Sequence, residues 1–264
     1  MIPAWDNYVG EALVEAIDSA LAQSVRPEVL VVDNASIVPI PASTGARVVR
    51  TPTRMTVGAS RNFGLAEVST PFAVFLDADD LLLEGALEAM LDAVDSCPEA
   101  VAWVLGIVDG TTGRRHRSPR RIAPVLARRP LLFAIANAGW SLMPTQGATL
   151  LRVDLLRELG GYDDSERGGD DWPLCAAIAF HGGVAFDAFP ALMYRRRPNS
   201  PGGDAFPSDL VRRNAGRVHV RLQGQPSVPH WVLWILPLLQ LTAIRIVRPV
   251  VKGARRAIGR ARSA

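Results

Sequence analysis

Asp77-Ala78-Asp79-Asp80 is the first place in this chain where residue types and spacing suggest chemistry. Carboxylates one residue apart at a strand end can share a hard divalent cation. Mg²⁺ or Mn²⁺ takes such oxygens and keeps positions open for water and phosphate. The same residues would also serve as a solvated turn before a helix, so spacing alone does not decide. Asp170-Asp171, after Gly168-Gly169, is the second place. Glycines permit close approach of a ligand, and a helix start stabilises carboxylates. An N-cap needs only one of the two, while a carboxylate facing a pocket can act as general base. The third is Asp33-Asn34, either an Asx turn or an acceptor for a nucleobase N–H.

The segments around these residues explain how they would meet. Residues 72–76 (FAVFL) and 28–32 (EVLVV) are apolar runs that end at Asp77 and Asp33, as buried strands do. Residues 46–50 and 101–108 read as two further strands. Helical spacing over 10–22 places Leu13, Ile17, Ala20 and Leu21 on one face. Residues 58–68, opened by Gly58, and 84–95 also read as helices. Alternating strands and helices build a mostly parallel sheet, whose strand ends share one ligand-binding edge. Asp33 and Asp77 are therefore expected to be neighbours. Further on, 111–121 is an Arg-rich surface loop and 146–153 a strand. Asp154 is expected to cap a short helix ending at Gly160-Gly161. A helix runs from the 168–173 segment to about Phe180, two short strands fill 184–194, and 198–208 is a Pro/Gly/Ser-rich loop.

Charge is divided along the chain. Residues 1–209 carry 18 Arg against 26 acids, a net of −8, whereas 210–264 carry 11 cations and no acid. An acidic body argues against a nucleic-acid-binding face, and a basic tail suits an anionic membrane surface. Residues 231–251 are apolar enough to suggest a span, but Gln240, Arg245 and Arg248 interrupt them and Pro237 would kink them. An interfacial or docking helix is the expectation. Cys97 and Cys175 form no CxxC and no zinc spacing. Residues 1–6 show no basic or apolar leader segment, which leads to a cytoplasmic expectation, peripheral on the inner face of the plasma membrane.

The order of these pieces resembles glycosyltransferase family 2, the inverting, DxD-containing enzymes of GT-A fold. The matching segments are Ile2-Pro3-Ala4-Trp5-Asp6-Asn7, Ser19-Ala20-Leu21-Ala22-Gln23-Ser24 and Val31-Val32-Asp33-Asn34-Ala35-Ser36. They continue with Gly58-Ala59-Ser60-Arg61-Asn62-Phe63-Gly64-Leu65 and Phe75-Leu76-Asp77-Ala78-Asp79-Asp80, then Leu159-Gly160-Gly161-Tyr162-Asp163 and Gly169-Asp170-Asp171-Trp172. The resemblance implies an α/β, Rossmann-like GT-A domain over residues 1–205 and a helical, basic extension over 206–264. It implies that Pro3, Ala4 and Asp33 line a nucleobase pocket and that Arg61 and Asn62 sit beside the nucleotide. Asp77 would approach the ribose and the metal, Asp79 would be the principal ligand of Mn²⁺ or Mg²⁺, and Asp171 would be the base. The partners implied are a nucleotide-sugar donor, with UDP or dTDP as the family default, and a saccharide or lipid-linked acceptor.

Two departures from the pattern stand out. Family members open with a strand of about five apolar residues before Ile-Pro, and here most of that strand is missing, so an incomplete N-terminus is expected. Relatives often carry a His where this chain has Arg197, which cannot ligate a cation but can pair with phosphate. The cluster Arg195–Arg197 is expected to close over the donor. Arginine supplies 28 of the 29 cations, a bias of GC-rich bacterial genomes, which suits cell-wall polysaccharide or glycolipid assembly. Two other readings compete with this one. A sugar-phosphate nucleotidyltransferase would open with a Gly- and Arg-rich phosphate loop, absent here. A catalytically inactive nucleotide-sugar-binding protein is the alternative that the short first strand keeps open.

Overall fold

The computed structural model describes residues 1–41, 45–116, 122–143, 146–165, 168–195, 208–242 and 245. β1 (Ile2–Ala4), β2 (Leu30–Asp33) and β3 (Arg47–Arg50) form a parallel sheet in the order β1-β2-β3. α1 (Glu11–Leu21) connects the first two, and α2 (Val57–Ala66) follows the third. β4 (Phe72–Ala73) begins a second sheet, but the chain runs on beside the N-terminus. The Met1 amine donates to the Val74 carbonyl at 2.8 Å, and the Leu76 amide donates to the Met1 carbonyl at 3.0 Å. This parallel pattern joins the two sheets through residue 1.

The second sheet has the order β4-β8-β6-β9-β5. Its members are β5 (Leu81–Leu82), β6 (Ala100–Asp109), β8 (Thr149–Arg152) and β9 (Gly183–Tyr194), with β7 (Arg115–His116) hairpinned onto β6. Only β6 and β9 pair in parallel, so the half of the chain that alternates strand and helix is parallel and the rest is mixed. The two strands expected over 184–194 are one strand of twelve residues. Pro190 lies within it, opposite Gly106 of β6, where the register shifts on both sides.

Alternation along the strands creates two cores. Ala102, Val104, Leu151 and Phe75 face one side with Tyr162, Phe133 and Leu174. Trp103, Leu105, Leu150 and Leu76 face the other with Ile2, Leu13 and Ile17. In α1 the buried stripe is Leu13, Ala16, Ile17 and Ala20, and Leu21 is exposed, because it lies one residue's rotation off that stripe. α3 (Ala86–Ser96) covers this second face. Beside the N-terminal strand lies a cavity of about 330 Å³, lined by Met1, Ile2, Leu30, Phe72, Val74 and Leu150 among others.

The first core is covered by α4 (Ala123–Ala127), α5 (Pro130–Gly139), α6 (Val153–Glu158) and α7 (Asp171–His181). Val218 and Leu222 of α8 (Ser208–Gln223), and Val232 and Leu236 of α9 (His230–Thr242), belong to the same apolar cluster. The sequence reading had no helices at 123–127 and 130–139, where apolar residues run without a helical period. Asp154 does not cap α6: it sits inside the first turn, and its Oδ1 accepts the Leu155 amide at 2.8 Å. The helix does end at Gly160 and Gly161, both left-handed at φ 77° and 72°. Residues 198–207 of the expected loop and 117–121 of the Arg-rich loop fall outside the described residues, as does nearly all of the tail beyond 242, while Arg115–His116 form β7.

α2 starts one residue before its expected opening. Its cap is Thr56, whose Oγ1 accepts the Ala59 amide at 3.2 Å. Gly58 has a different job. A Cβ there would stand 2.0 Å from the Asp163 carbonyl oxygen and 3.1 Å from the Asp170 Cβ. α2 can therefore lie against the 163–170 loop only with glycine at this point. Gly58→Ala is expected to cost about 2 kcal/mol or more, because the obstacle is backbone and cannot rotate away. Gly216→Ala is the control of opposite sign, since nothing lies within 4 Å of a Cβ there in α8, and it should gain about 0.5–1 kcal/mol of helix propensity. Urea unfolding midpoints of the two variants test both expectations.

Candidate active site

Arg61 stands at the centre of the site. It projects from α2 and is buried. One terminal nitrogen donates to Asp170 Oδ2 at 2.7 Å and the other to Asp77 Oδ1 at 2.6 Å. Its guanidinium carbon lies 5.3 Å from the centre of the Tyr162 ring. Burial opposes its charge, but Asp170 and Asp77 hold its ionisation well above the ordinary arginine range. The two acidic segments singled out from sequence are thus brought together by one cation.

The 77–80 loop follows the strand that pairs with Met1, and Asp33 ends β2 two strands away. Parallel pairing puts both carboxyl ends on one edge, about 10 Å apart at the usual strand spacing. Asp79 and Asp80 are buried. Desolvation, with Asp77 beside it, pushes the Asp80 carboxyl up to about 8. Asp80 Oδ1 accepts the Arg195 amide at 2.8 Å, while its buried Oδ2 has no hydrogen-bond partner. Arg195, at the end of β9, also donates from Nε to the Asp79 carbonyl and from a terminal nitrogen to Glu15 of α1. It holds the acidic loop against α1 and the end of β9. Arg196 and Arg197 lie outside the described residues. An orphaned carboxylate oxygen amid three acids fits a hard cation. Among the described residues no three His, Cys, Asp or Glu side chains form a ready-made metal site. Such an ion would need water and substrate oxygens to complete its shell.

Asp170 and Asp171 have unequal surroundings. Asp170 is buried and paired with Arg61, whereas Asp171 begins α7 and is only half-buried. Desolvation and the charge of Asp170 raise the Asp171 carboxyl to about 6. Trp172 is anchored by its indole N–H to the Asn137 carbonyl at 2.8 Å, which fixes the start of the helix. The α8 helix braces the loop before it. Arg217 donates from Nε to Asp163 Oδ2 at 2.9 Å, pairs ionically with Oδ1 at 2.8 Å, and donates from a terminal nitrogen to the Gly168 carbonyl at 3.2 Å.

Pro3 and Ala4 stand in register with Val32 and Asp33 and are buried beside them. The Asp33 carboxylate closes its own turn. It accepts the Ser36 amide at 2.9 Å and the Ile40 amide at 3.3 Å, and it pairs with Arg50. Burial opposes its ionisation, and these hydrogen bonds hold it below the usual range. The Asn62 amide forms a two-way bridge with the Tyr162 backbone, at 2.9 and 2.7 Å, and so docks α2 on the Gly160-Gly161 turn. Tyr162 donates its hydroxyl to Gln146 at 3.0 Å. Sequence reasoning missed Tyr162, Arg195 and Arg217 as supports of the site. The only local hint was Tyr162-Asp163 after a double glycine, and the partners lie 54 to 180 residues away.

Comparison with known proteins bears on this geometry. No curated protein matches the chain in sequence. Among solved structures, residues 1–349 of Staphylococcus aureus TarS in complex with UDP-GlcNAc superpose with a TM-score of 0.65 at 14% identity, over 93% of this chain and 74% of that one. The same fragment alone gives 0.62 at 15% identity, over 94% and 72%. Full TarS gives 0.61, with this chain spanning 43% of its length. At such identities the likeness speaks for the fold, which is GT-A. The model of glycosyl transferase family 2 matches residues 1–160, from β1 through the acidic loop to the Gly160 turn, and this chain belongs to that family.

Proposed function

We propose that this protein transfers a sugar from a nucleoside-diphosphate donor, UDP- or dTDP-linked, to a hydroxyl of a saccharide or lipid-linked acceptor. Cell-surface polysaccharide or glycolipid synthesis is the setting this reading favours. The observation that carries it is the Arg61 bridge, which ties Asp170 to an acidic loop at the ligand edge of the sheet and so brings Asp171, the neighbouring carboxyl raised to about 6, close to that loop. That TarS has been solved with UDP-GlcNAc and with UDP supports a uridine donor.

In this reading the nucleobase lies against Pro3, Ala4 and Asp33, with Arg61 and Asn62 beside the nucleotide. Asp79 is the principal ligand of Mn²⁺ or Mg²⁺ and Asp77 the second. When bound, such a cation neutralises charge on the diphosphate leaving group. Asp171 removes the proton of the acceptor hydroxyl. The oxygen then bonds to the anomeric carbon from the face opposite the diphosphate, whose bond to that carbon breaks, and the centre inverts. Asp170 moves no proton. Tied to Arg61, it raises its neighbour towards the pH at which a base works best. The basic tail gives the enzyme an electrostatic hold on the inner face of a plasma membrane.

Three measurements test this. Asp79→Asn is expected to abolish the Mn²⁺-dependent part of UDP affinity in calorimetry with the fold intact, and unchanged affinity would reject the metal assignment. Asp171→Asn should leave donor binding nearly intact and cut transfer by about 10²–10⁴. Asp170→Asn should instead lower the melting temperature, since breaking a buried ion pair costs about 3–5 kcal/mol. The third is the pH profile. A carboxyl raised to about 6 is protonated, and useless as a base, below that value. Transfer should therefore fall about tenfold per unit below pH 6 and level off above it. A profile flat down to pH 4.5 would remove Asp171 from the role.

A further inference from the structure

The two helices farthest from the sheet leave an apolar face uncovered. α9 buries Val232, Leu236 and Gln240 at four-residue spacing. Its other side presents Trp231, Trp234, Leu238 and Leu241, with Trp234 at 85% and Leu238 at 67% exposure. α5 packs alongside and adds exposed Leu131 and Leu132. Adjoining tryptophans and leucines in water are atypical of a free protein surface. Trp231, Trp234 and Leu238 all face outward.

Charge narrows what covers this face. All 26 acids of the chain lie in residues 1–109 and 154–209. Residues 110–153 carry eight Arg and no acid, and residues 210–264 carry eleven cations and no acid. α5 belongs to the first acid-free stretch and α9 to the second, and the two helices pack together. Arg128 and Arg129 stand exposed at the start of α5. Nucleic acid or an acidic peptide would answer the charge but offers no apolar phase for two tryptophans. Thirteen helical residues reach about 20 Å, short of the ~30 Å hydrocarbon core. No helix among the described residues is long and apolar enough to cross a membrane.

We propose that the outer face of α9 and α5 docks flat on an anionic lipid surface, with Trp234 and Leu238 inserted at the headgroup boundary and the flanking arginines on the phosphates. This adds an orientation to the transferase reading, on which its link to a lipid-linked acceptor rests. Gln240 of α9 donates to the Ala138 carbonyl at 3.2 Å, and the preceding residue of α5, Asn137, accepts the indole N–H of Trp172, next to Asp171. The docked face thus lies one helix layer from the proposed base, and an acceptor held in the same leaflet is presented to it.

The test is flotation of the full chain with vesicles of phosphatidylcholine alone or mixed with phosphatidylglycerol, beside the double variant Trp234→Glu, Leu238→Glu. The wild-type chain should float with the mixed vesicles and partly release at high salt, where exposed charges are screened. The variant should keep its melting temperature, since both side chains are exposed, and lose flotation by about tenfold or more, the burial of two large apolar groups being removed. Equal flotation of the two chains would overturn the proposal, as would no flotation of either. Light scattering that finds a dimer split by the variant would overturn it too, by making a second copy the occupant. Donor hydrolysis with Mn²⁺ in the absence of vesicles is measured separately. A chain that hydrolyses but does not float refutes the docking face alone, and one that floats but does not hydrolyse refutes the transferase reading alone.

Discussion

The site depends on one buried cation. Arg61 enters from α2 and pairs with carboxylates from two loops that have no other reason to be adjacent. In a low-dielectric setting each of these charges would be costly alone, and the Coulomb attraction compensates only because both pairs are short. The arrangement also sorts the acids by task. Asp170 is tied to Arg61, and Asp171, next in the chain, takes the repulsion of its neighbour without the ion pair. One residue of separation along a helix start therefore leaves one carboxylate ion-paired and raises the other, the proposed base.

Everything around Arg61 serves to keep that distance. Gly58 lets α2 touch the Asp163 backbone, and the Asn62 amide bridges Tyr162 one turn on. From the far side Arg217 and Asn214 of α8 grip the 163–169 loop. Gly169 is left-handed at φ 71°, and a Cβ there would sit 1.8 Å from the Asn214 amide nitrogen. Burial opposes ionisation of Asp163, yet hydrogen bonds from Arg217 and Ser165 hold its carboxyl down to about 2. That stabilisation is present above the unfolded value near 4 and disappears only as the pH falls towards 2. Helices beyond the family-matched part of the chain thus help to shape the loop before Asp170 and Asp171.

The same helices turn a second face outward, and their composition differs from the rest of the molecule. All acids lie in residues 1–109 and 154–209, whereas α5 and α9, which pack together, belong to the two acid-free stretches. One side of α9 is bonded into the core through Gln240, which donates to both the Ala138 and Ala215 carbonyls. Its other side is as apolar as a core surface. A helix apolar on all sides needs something on each of them.

The sequence by itself determined the parts whose signals are local. Apolar runs ending in Asp33 and Asp77 marked parallel strands with a common edge. The ordered motifs from Ile2-Pro3 to Asp170-Asp171 carried the family, and the charge asymmetry of the tail was a matter of counting. Tertiary structure alone decided which carboxylate each acid loop would meet, because the choice rests on a guanidinium 16 residues from one and 109 from the other. It decided that Arg195 holds the acidic loop, a contact set by where β9 ends. It showed that Gly58 is a point of approach and not a helix opener, and that α9 buries Val232 and Leu236 while exposing Trp234. An all-apolar helix has no periodicity from which its inner face can be read, so only the neighbours it packs against could choose.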